Sequence, residues 1–463
     1  MLENGSAGAG KRITLVIAVL AQFIFGSMVS SVNVALPTIG RDFAMGAVLL
    51  GWVATAYLLA SAAFLVPFGR LADIYGRKKI FLGGVLLFTV ASFLCAVAGS
   101  PAWLIASRAL SGIGGAITAG TVVAIVTSVF SAGERGRAIG ISMASVYAGL
   151  SLGPFLGGVL TQHLGWRSLF LLSAFLGLVV VVLIIWGLKG EWAEARGERF
   201  DFVGSVAFVL AVIVLMYGFT VLPAMMGIAL VLLGVLGLLA FVWLEGRVPS
   251  PVLNVSLIRG NRGFVFSNLA TLINYSAAFA MGFLMSLYLQ YAKGLSPQTA
   301  GLILVVPPGV MTIFAPIAGW LSDRIEPRLV AAAGMAITCV ALLLLIFLTE
   351  GTAEWFIIVN LAIYGVGAGL FSSPNTNAVI GSVDSRFLGV ASSTVATMRS
   401  CGMMLSLGIV MIVFSVYIGH AQITPEYYPA FLTSVKVGFI IFAALCFLGI
   451  ITQLAGKKAV ESR

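Results

Sequence analysis

Long apolar runs separated by short charged or Gly- and Pro-containing segments set the pattern of this chain. A membrane-crossing helix needs about 20 mostly apolar residues. By that measure the pattern predicts helices at roughly 13–36, 47–68, 79–98, 102–126, 137–160, 167–188, 203–221, 225–244, 263–288, 298–319, 329–349, 355–374, 388–417 and 433–454. The runs are too long and too continuous for the alternating strands of a membrane barrel. The weakest division is at Leu222, Pro223 and Ala224, which alone separate the seventh and eighth runs. The first run is longer than a signal-peptide core and lacks a small-residue exit, so it reads as a span.

Composition agrees with that pattern. Of 463 residues, 60% are hydrophobic and 9% charged, with mean hydropathy +1.11. A soluble domain carries about 25% charged residues, so soluble enzymes, disordered chains and nucleic-acid-binding proteins are excluded. The fold class is an all-α polytopic membrane protein. No cofactor is expected: the cysteines Cys95, Cys339, Cys401 and Cys446 lie in apolar runs without a CxxC pair. His163 and His420 are too far apart in sequence to suggest a metal cluster.

The net charge of +10 sets orientation rather than nucleic-acid affinity. With the N-terminus inside, twenty of the 26 Lys and Arg fall on the inner side and four on the outer (Arg41, Arg167, Lys293, Lys436). Two, Arg108 and Arg399, fall within spans. This asymmetry predicts an even number of spans and cytoplasmic termini.

Two inner loops match in phase. Gly69, Leu71 and Asp73 after the second run correspond to Gly319, Leu321 and Asp323 after the tenth. Internal repeats are common in transporters. The match predicts two six-helix bundles, 1–188 and 263–463, separated by 189–262. That middle section holds an inserted helix pair and a charge-dense cytoplasmic linker at 189–201.

Several motifs resemble the major facilitator superfamily. Gly69, Leu71, Ala72, Asp73, Gly76, Arg77 and Lys78 fit its signature G-x-L-[AS]-D-x-x-G-[RK]-[RK]. Arg108, Gly112 and Gly114 resemble its R-x-x-x-G-x-G element, and Gly153, Pro154, Gly157 and Gly158 its antiporter element G-P-x-x-G-G. Asn33 to Pro37, Tyr288 to Gln290 and Gly294 to Pro297 resemble the fourteen-span drug:proton antiporter branch. The resemblance implies a secondary transporter of the plasma (inner) membrane that works as a monomer by alternating access, with export of amphipathic drugs against protons. It also implies a gating role for Gly69, Arg70, Asp73, Gly76, Arg77 and Asp323, and a role in proton transfer for Arg108. An alternative kept open is a carrier of organic anions, sugars or lipids.

Polar positions within the runs suggest a substrate cavity. Gln22, Gly26, Ser30 and Asn33 recur on one helical face of the first run. Thr271 and Tyr275 do so in the ninth, and Asn360 and Tyr364 in the twelfth; Tyr147 and Arg399 complete the set. One departure from the branch is conspicuous. Met28 stands where such antiporters carry an aspartate, and none of the sixteen acids falls mid-span. Proton carriers are therefore expected at the margins, at Asp42, Asp73 or His163, with Arg108 tuning them. The cavity is expected to favour neutral or anionic amphiphiles over lipophilic cations. No catalytic nucleophile or base cluster suggests an enzyme.

Overall fold

The computed structural model describes residues 2–193, 195–198, 200–246, 261–383, 388–419 and 421–455. Glu194, Arg199, Arg247, Arg259, Asp384, Arg386, His420, Lys457, Lys458, Glu461 and Arg463, used above for orientation or chemistry, lie outside the described residues. Sixteen α-helices and no strand are found among the described residues. They are α1 (Leu2–Asp42), α2 (Ala47–Tyr75), α3 (Arg77–Ala96), α4 (Pro101–Val129), α5 (Ala132–Leu164), α6 (Arg167–Gly187), α7 (Phe202–Val221) and α8 (Met225–Glu245). The second half contains α9 (Arg262–Ala278), α10 (Met281–Leu287), α11 (Pro297–Leu304), α12 (Val306–Ser322), α13 (Pro327–Leu345), α14 (Glu354–Ile380), α15 (Leu388–Tyr417) and α16 (Tyr428–Ala455).

Fourteen of the resulting spans are long and apolar enough to cross a bilayer, so the chain is a multi-pass membrane protein. Their ends follow the local chemistry. Ser100 and Ser296 cap α4 and α11 by accepting the Trp103 and Thr299 N–H groups, with a proline at the first helical position of each.

Two spans are interrupted, which the apolar pattern does not reveal. The ninth breaks at Phe279–Ala280 and ends in a π-helical turn, Tyr288–Ala292. Backbone groups freed inside a membrane need partners. Here Ser406 accepts the Ala280 N–H at 2.9 Å, and the Tyr364 hydroxyl donates to the Ala278 carbonyl at 2.8 Å. The tenth breaks at Val305, two residues before Pro307 and Pro308, which cannot donate to the preceding turn.

Packing repeats between the halves. The first span packs on the fifth, the second on the fourth, and the third on the fourth and sixth. The ninth packs on the thirteenth, the tenth on the twelfth, and the eleventh on the twelfth and fourteenth. The in-phase loops seen in the sequence thus belong to helices with equivalent neighbours. The inserted α7–α8 pair lies across the boundary: Phe208, Val212, Met216 and Phe241 pack on Leu59, Ala62 and Ala63 of α2 and on Met404 of α15.

Candidate functional site

The two halves meet most closely at the end carrying few positive charges, taken as the outer side. Pro37 lies inside α1. Lacking an N–H, it leaves the Asn33 carbonyl without its usual helical donor. Ser286 of α10 donates to that carbonyl at 2.6 Å, and Gln290 on the π-turn donates to the Val34 carbonyl at 2.9 Å. Further out, His163 and Gln298 are 3.1 Å apart, and the Gln298 N–H donates to the Gln162 side chain at 3.2 Å. Gln422 donates to the Ala44 carbonyl, and the Ala47 N–H to the Ala421 carbonyl. The outer side is therefore closed across the halves.

Gly153, Pro154, Gly157 and Gly158 form two seams in α5. Toward α1, a side chain at Gly157 would meet the Ser31 carbonyl at 2.6 Å, and one at Gly153 would run into Ser30. Toward α11, Gly158 abuts the Pro297 carbonyl, while Gly301 abuts that of Pro154. Small residues allow such backbone approach. One glycine set thus binds α5 within its own half and closes it against the other.

Arg108 is 2% exposed, so its guanidinium is enclosed by protein. Its Nε donates to the Val53 carbonyl at 3.0 Å, and its guanidinium lies 4.4 Å from the Tyr57 ring centroid, a cation–π arrangement. Its Nη1 has no hydrogen-bond partner among the described residues. A small cavity there is lined by Asn33, Arg108 and Tyr57 from the first half and by Phe279 and Leu407 from the second. The nearby glycines of the same motif face different helices: Gly112 meets the Tyr57 backbone, and Gly114 meets α3 at Phe88 and Gly84.

The expected substrate cavity is redrawn. Gly26 is packed against the Val146 backbone, and Ser30 hydrogen-bonds within its own helix, to the Gly26 and Ser27 carbonyls. Both belong to the α1–α5 contact, because helical periodicity identifies a face but not its neighbour. Gln22 is buried, 3% exposed, and does not line the Arg108 cavity. Thr271 accepts from Asn375 at 2.6 Å, Tyr364 braces the ninth-span break, and Asn360 is 1% exposed with no partner for its amide among the described residues. These three sit inside the second half rather than on an open surface.

Tyr147, Tyr275 and Arg399 do converge, and they bring in Ser372, a residue the sequence does not single out. Tyr147 of α5 is 3.2 Å from the Ser372 hydroxyl of α14, across the two halves. Tyr275 faces the Arg399 guanidinium and Ser372, beside Tyr147. All four are half-buried, so they border open space. At about 1.5 Å per residue, Tyr147 lies roughly 15 Å from the inner end of its span, near mid-depth.

On the inner side, Asp73 pairs with Arg77 at 2.7 Å rather than with its other basic neighbours, and Arg77 also donates to Ser128 of α4 at 2.6 Å. Gly76 adopts φ +119°, and a Cβ there would meet the Glu191 carboxyl. Gly69, by contrast, is helical with open space on its Cβ side. The 188–198 linker straps this loop. Glu191 accepts the Lys78 N–H at 2.8 Å, Trp192 accepts the Arg77 N–H, the Ala195 N–H donates to Asp73, and Glu198 pairs with Arg70. Asp323 is exposed and has no ion-pair partner among the described residues.

Of the remaining acids, Asp42 accepts from Trp166 and Arg167 at the outer end of α1. Glu245, assigned by sequence to an inner loop, is 2% exposed against Gly204 at the start of α7. It is the sole buried carboxylate among the described residues, and nothing in its local sequence marks it.

Comparison with known proteins is consistent with this architecture. The model of the Major Facilitator Superfamily matches residues 18–253 and 267–460. The riboflavin transporter RibZ of Clostridioides difficile (strain 630) is 31% identical over 95% of this chain and 96% of its own. The multidrug resistance protein Stp of Mycobacterium tuberculosis (strain CDC 1551 / Oshkosh) is 33% identical over 84% of this chain and 73% of its own. A bacterial homologue of the human lysosomal transporter Spinster, solved inward-facing and unoccupied, superposes with TM-score 0.69 at 17% identity. That match covers 98% of this chain and 99% of that one, and it shows the shared fold.

Proposed function

The chain belongs to the Major Facilitator Superfamily, in its branch of fourteen-span drug:proton antiporters, and from that premise we propose that it exports amphipathic small molecules in exchange for protons. The observation that carries this reading is the asymmetry of closure. Polar anchors join the halves on the outer side, from Ser286 and Gln290 to α1 and from Gln298 to α5. A half-buried polar cluster lies at mid-depth beneath them. A closed outer side above such a cluster supports an inward-facing state that takes its cargo from the cytoplasm. The names of the relatives, a riboflavin transporter and a multidrug resistance protein, support a small-molecule cargo.

In this mechanism residues 1–188 and 263–463 rock as two bodies, with 189–262 joining them. Cargo enters the mid-depth cluster. Parting of the α1–α10 and α5–α11 seams then opens the outer side. The Asp73–Arg77 pair and its linker strap hold the inner end of the first half as one unit during the swing. Arg108, enclosed beneath the outer seal, gains access to the outside when the seal parts, so its surroundings change between states. That change is what coupling requires. Protons are carried at the margins, by Asp42, Asp73 or His163, with Arg108 setting their balance. The protein acts as a monomer in the plasma membrane.

The test is an inverted-vesicle assay with an imposed pH gradient. Addition of a transported drug collapses the gradient at a rate that depends on the amount of protein. Drug uptake with an undisturbed gradient would contradict proton antiport.

A further inference from the structure

Two guanidinium groups lie within the membrane spans, and their settings differ. Arg108 is 2% exposed, stacked on Tyr57 and bonded to the Val53 carbonyl. Arg399 is half-buried on α15. Gly402, one turn further along, lets α15 approach α9 so closely that a Cβ there would lie 2.7 Å from that of Tyr275. On the same stretch of α15, the Arg399 guanidinium lies within electrostatic reach of the Tyr275 phenol. From the opposite half, Tyr147 reaches Ser372 at 3.2 Å.

The charge inventory around this group is one-sided. No salt bridge joins Arg399 to a carboxylate among the described residues. The described acids are exposed or placed at helix ends, and Glu245 is at the cytoplasmic foot of α8. A guanidinium carries five N–H donors in a planar fork and accepts nothing. Its surroundings here offer hydroxyl groups, which can donate as well. A cation at membrane depth is costly unless it meets an anion or water. The complementary ligand is one that brings its own negative oxygen atoms.

We infer that Arg399, with the hydroxyls of Tyr147, Tyr275 and Ser372, is an anion-recognition site between the two halves, and that the cargo is an amphipathic organic monoanion. This rests on the transporter reading above and names its substrate class. The carboxylate or sulfonate of such a cargo accepts from the Arg399 fork and from the hydroxyls, while its apolar body lies along the surrounding helices. Because Tyr147 belongs to the first half and Arg399 to the second, one anionic head contacts both. It can thereby report occupancy to both bodies.

The test uses purified full-length protein in nanodiscs of phosphatidylcholine, which carries no net charge and adds no anionic lipid. Three dansyl probes differ only in the head group: a glycine carboxylate, its neutral glycinamide and a quaternary ammonium. Dissociation constants are read by fluorescence. The carboxylate binds at least about tenfold more tightly than the glycinamide, the gain expected of one charge-assisted hydrogen-bond pair. Arg399→Gln removes most of that difference, weakening the carboxylate probe far more than the glycinamide. Arg399→Lys, which keeps the charge and loses the fork, restores part of it. Preference for the ammonium probe, equal weakening of all three by Arg399→Gln, or no binding of any probe overturns the assignment. Charge-selective binding without gradient collapse in the vesicle assay would instead overturn the transport reading and leave the site standing.

Discussion

The Ser286 hydroxyl donates to the Asn33 carbonyl at 2.6 Å, and that carbonyl is free because the residue four positions on is Pro37. A proline that weakens one helix thereby creates the acceptor that holds the opposite half. The same end of α1 offers the Val34 carbonyl to Gln290. The Asn33–Pro37 motif is thus a latch plate, and the π-turn of the ninth span is what aims Gln290 at it.

Ser286→Ala is expected to loosen the outer latch without disturbing the fold. One neutral hydrogen bond contributes about 1 kcal/mol, equivalent to a roughly fivefold shift between inward- and outward-facing populations. Spin-label distances between the outer ends of α5 and α11 would measure it. An unchanged distance distribution would show that this bond does not set the balance.

Arg108→Lys is expected to lose coupled transport by at least about tenfold while remaining folded. The ammonium keeps the charge but not the Nε contact to Val53 or the planar face over Tyr57. Gradient-collapse rates in vesicles check this, with monodispersity in detergent as the folding control. Wild-type coupling in Arg108→Lys would reduce the residue to a point charge.

Gly76→Ala and Gly69→Ala should behave oppositely, although both glycines belong to one signature. At Gly76 the φ of +119° strains any L side chain, and a methyl group would also force the Glu191 carboxyl off the Lys78 N–H. A strained backbone of this kind costs on the order of 1–3 kcal/mol. At Gly69 nothing lies within 4 Å of the added Cβ, and alanine favours the helix. Fluorescence-detected thermal stability should fall for the first variant and hold or rise for the second.

The pH response of the Lys11–Glu134 tether can be assigned a direction. Hydrogen bonds from Lys11 and then Ser131 hold the Glu134 carboxyl below the usual carboxylate range. A lowered folded-state value means that the tether stabilises above the ordinary glutamate range, near 4.3, and is lost as pH falls through the lower folded value. Between pH 6 and 8 Glu134→Gln should therefore shift transport by a constant amount, without altering the shape of its pH profile. A changed profile in that window would make Glu134 part of the coupling path.

Much of the fold is legible in the sequence because a bilayer imposes a simple rule of length and apolarity. The charge asymmetry then orients each span, and the Gly69–Asp73 and Gly319–Asp323 match points to a duplication that the packing repeats. The site is less legible. Gln22, Gly26, Ser30 and Asn33 share a face of α1, yet Gly26 and Ser30 turn out to meet α5, since periodicity cannot name the neighbour. Ser372 carries no sequence mark and joins the mid-depth cluster only through the approach of α5 to α14. The strap of Glu191 and Glu198 over the signature loop is likewise invisible, because a charged linker looks the same whether solvated or docked. Glu245 becomes buried only through the pairing of α7 with α8.

The central claim is that the outer seam between α5 and α11 must part in every transport cycle. The Gln298 N–H donates to the Gln162 side chain across that seam at 3.2 Å; of the native cysteines, Cys95, Cys339 and Cys446 are buried and Cys401, half-buried, is replaced by serine in the background. Transport should be measured for the double variant Gln162→Cys with Gln298→Cys, before and after oxidation and again after reduction. The account expects oxidation to stop transport and dithiothreitol to restore it. Undiminished transport by the fully cross-linked protein would contradict it.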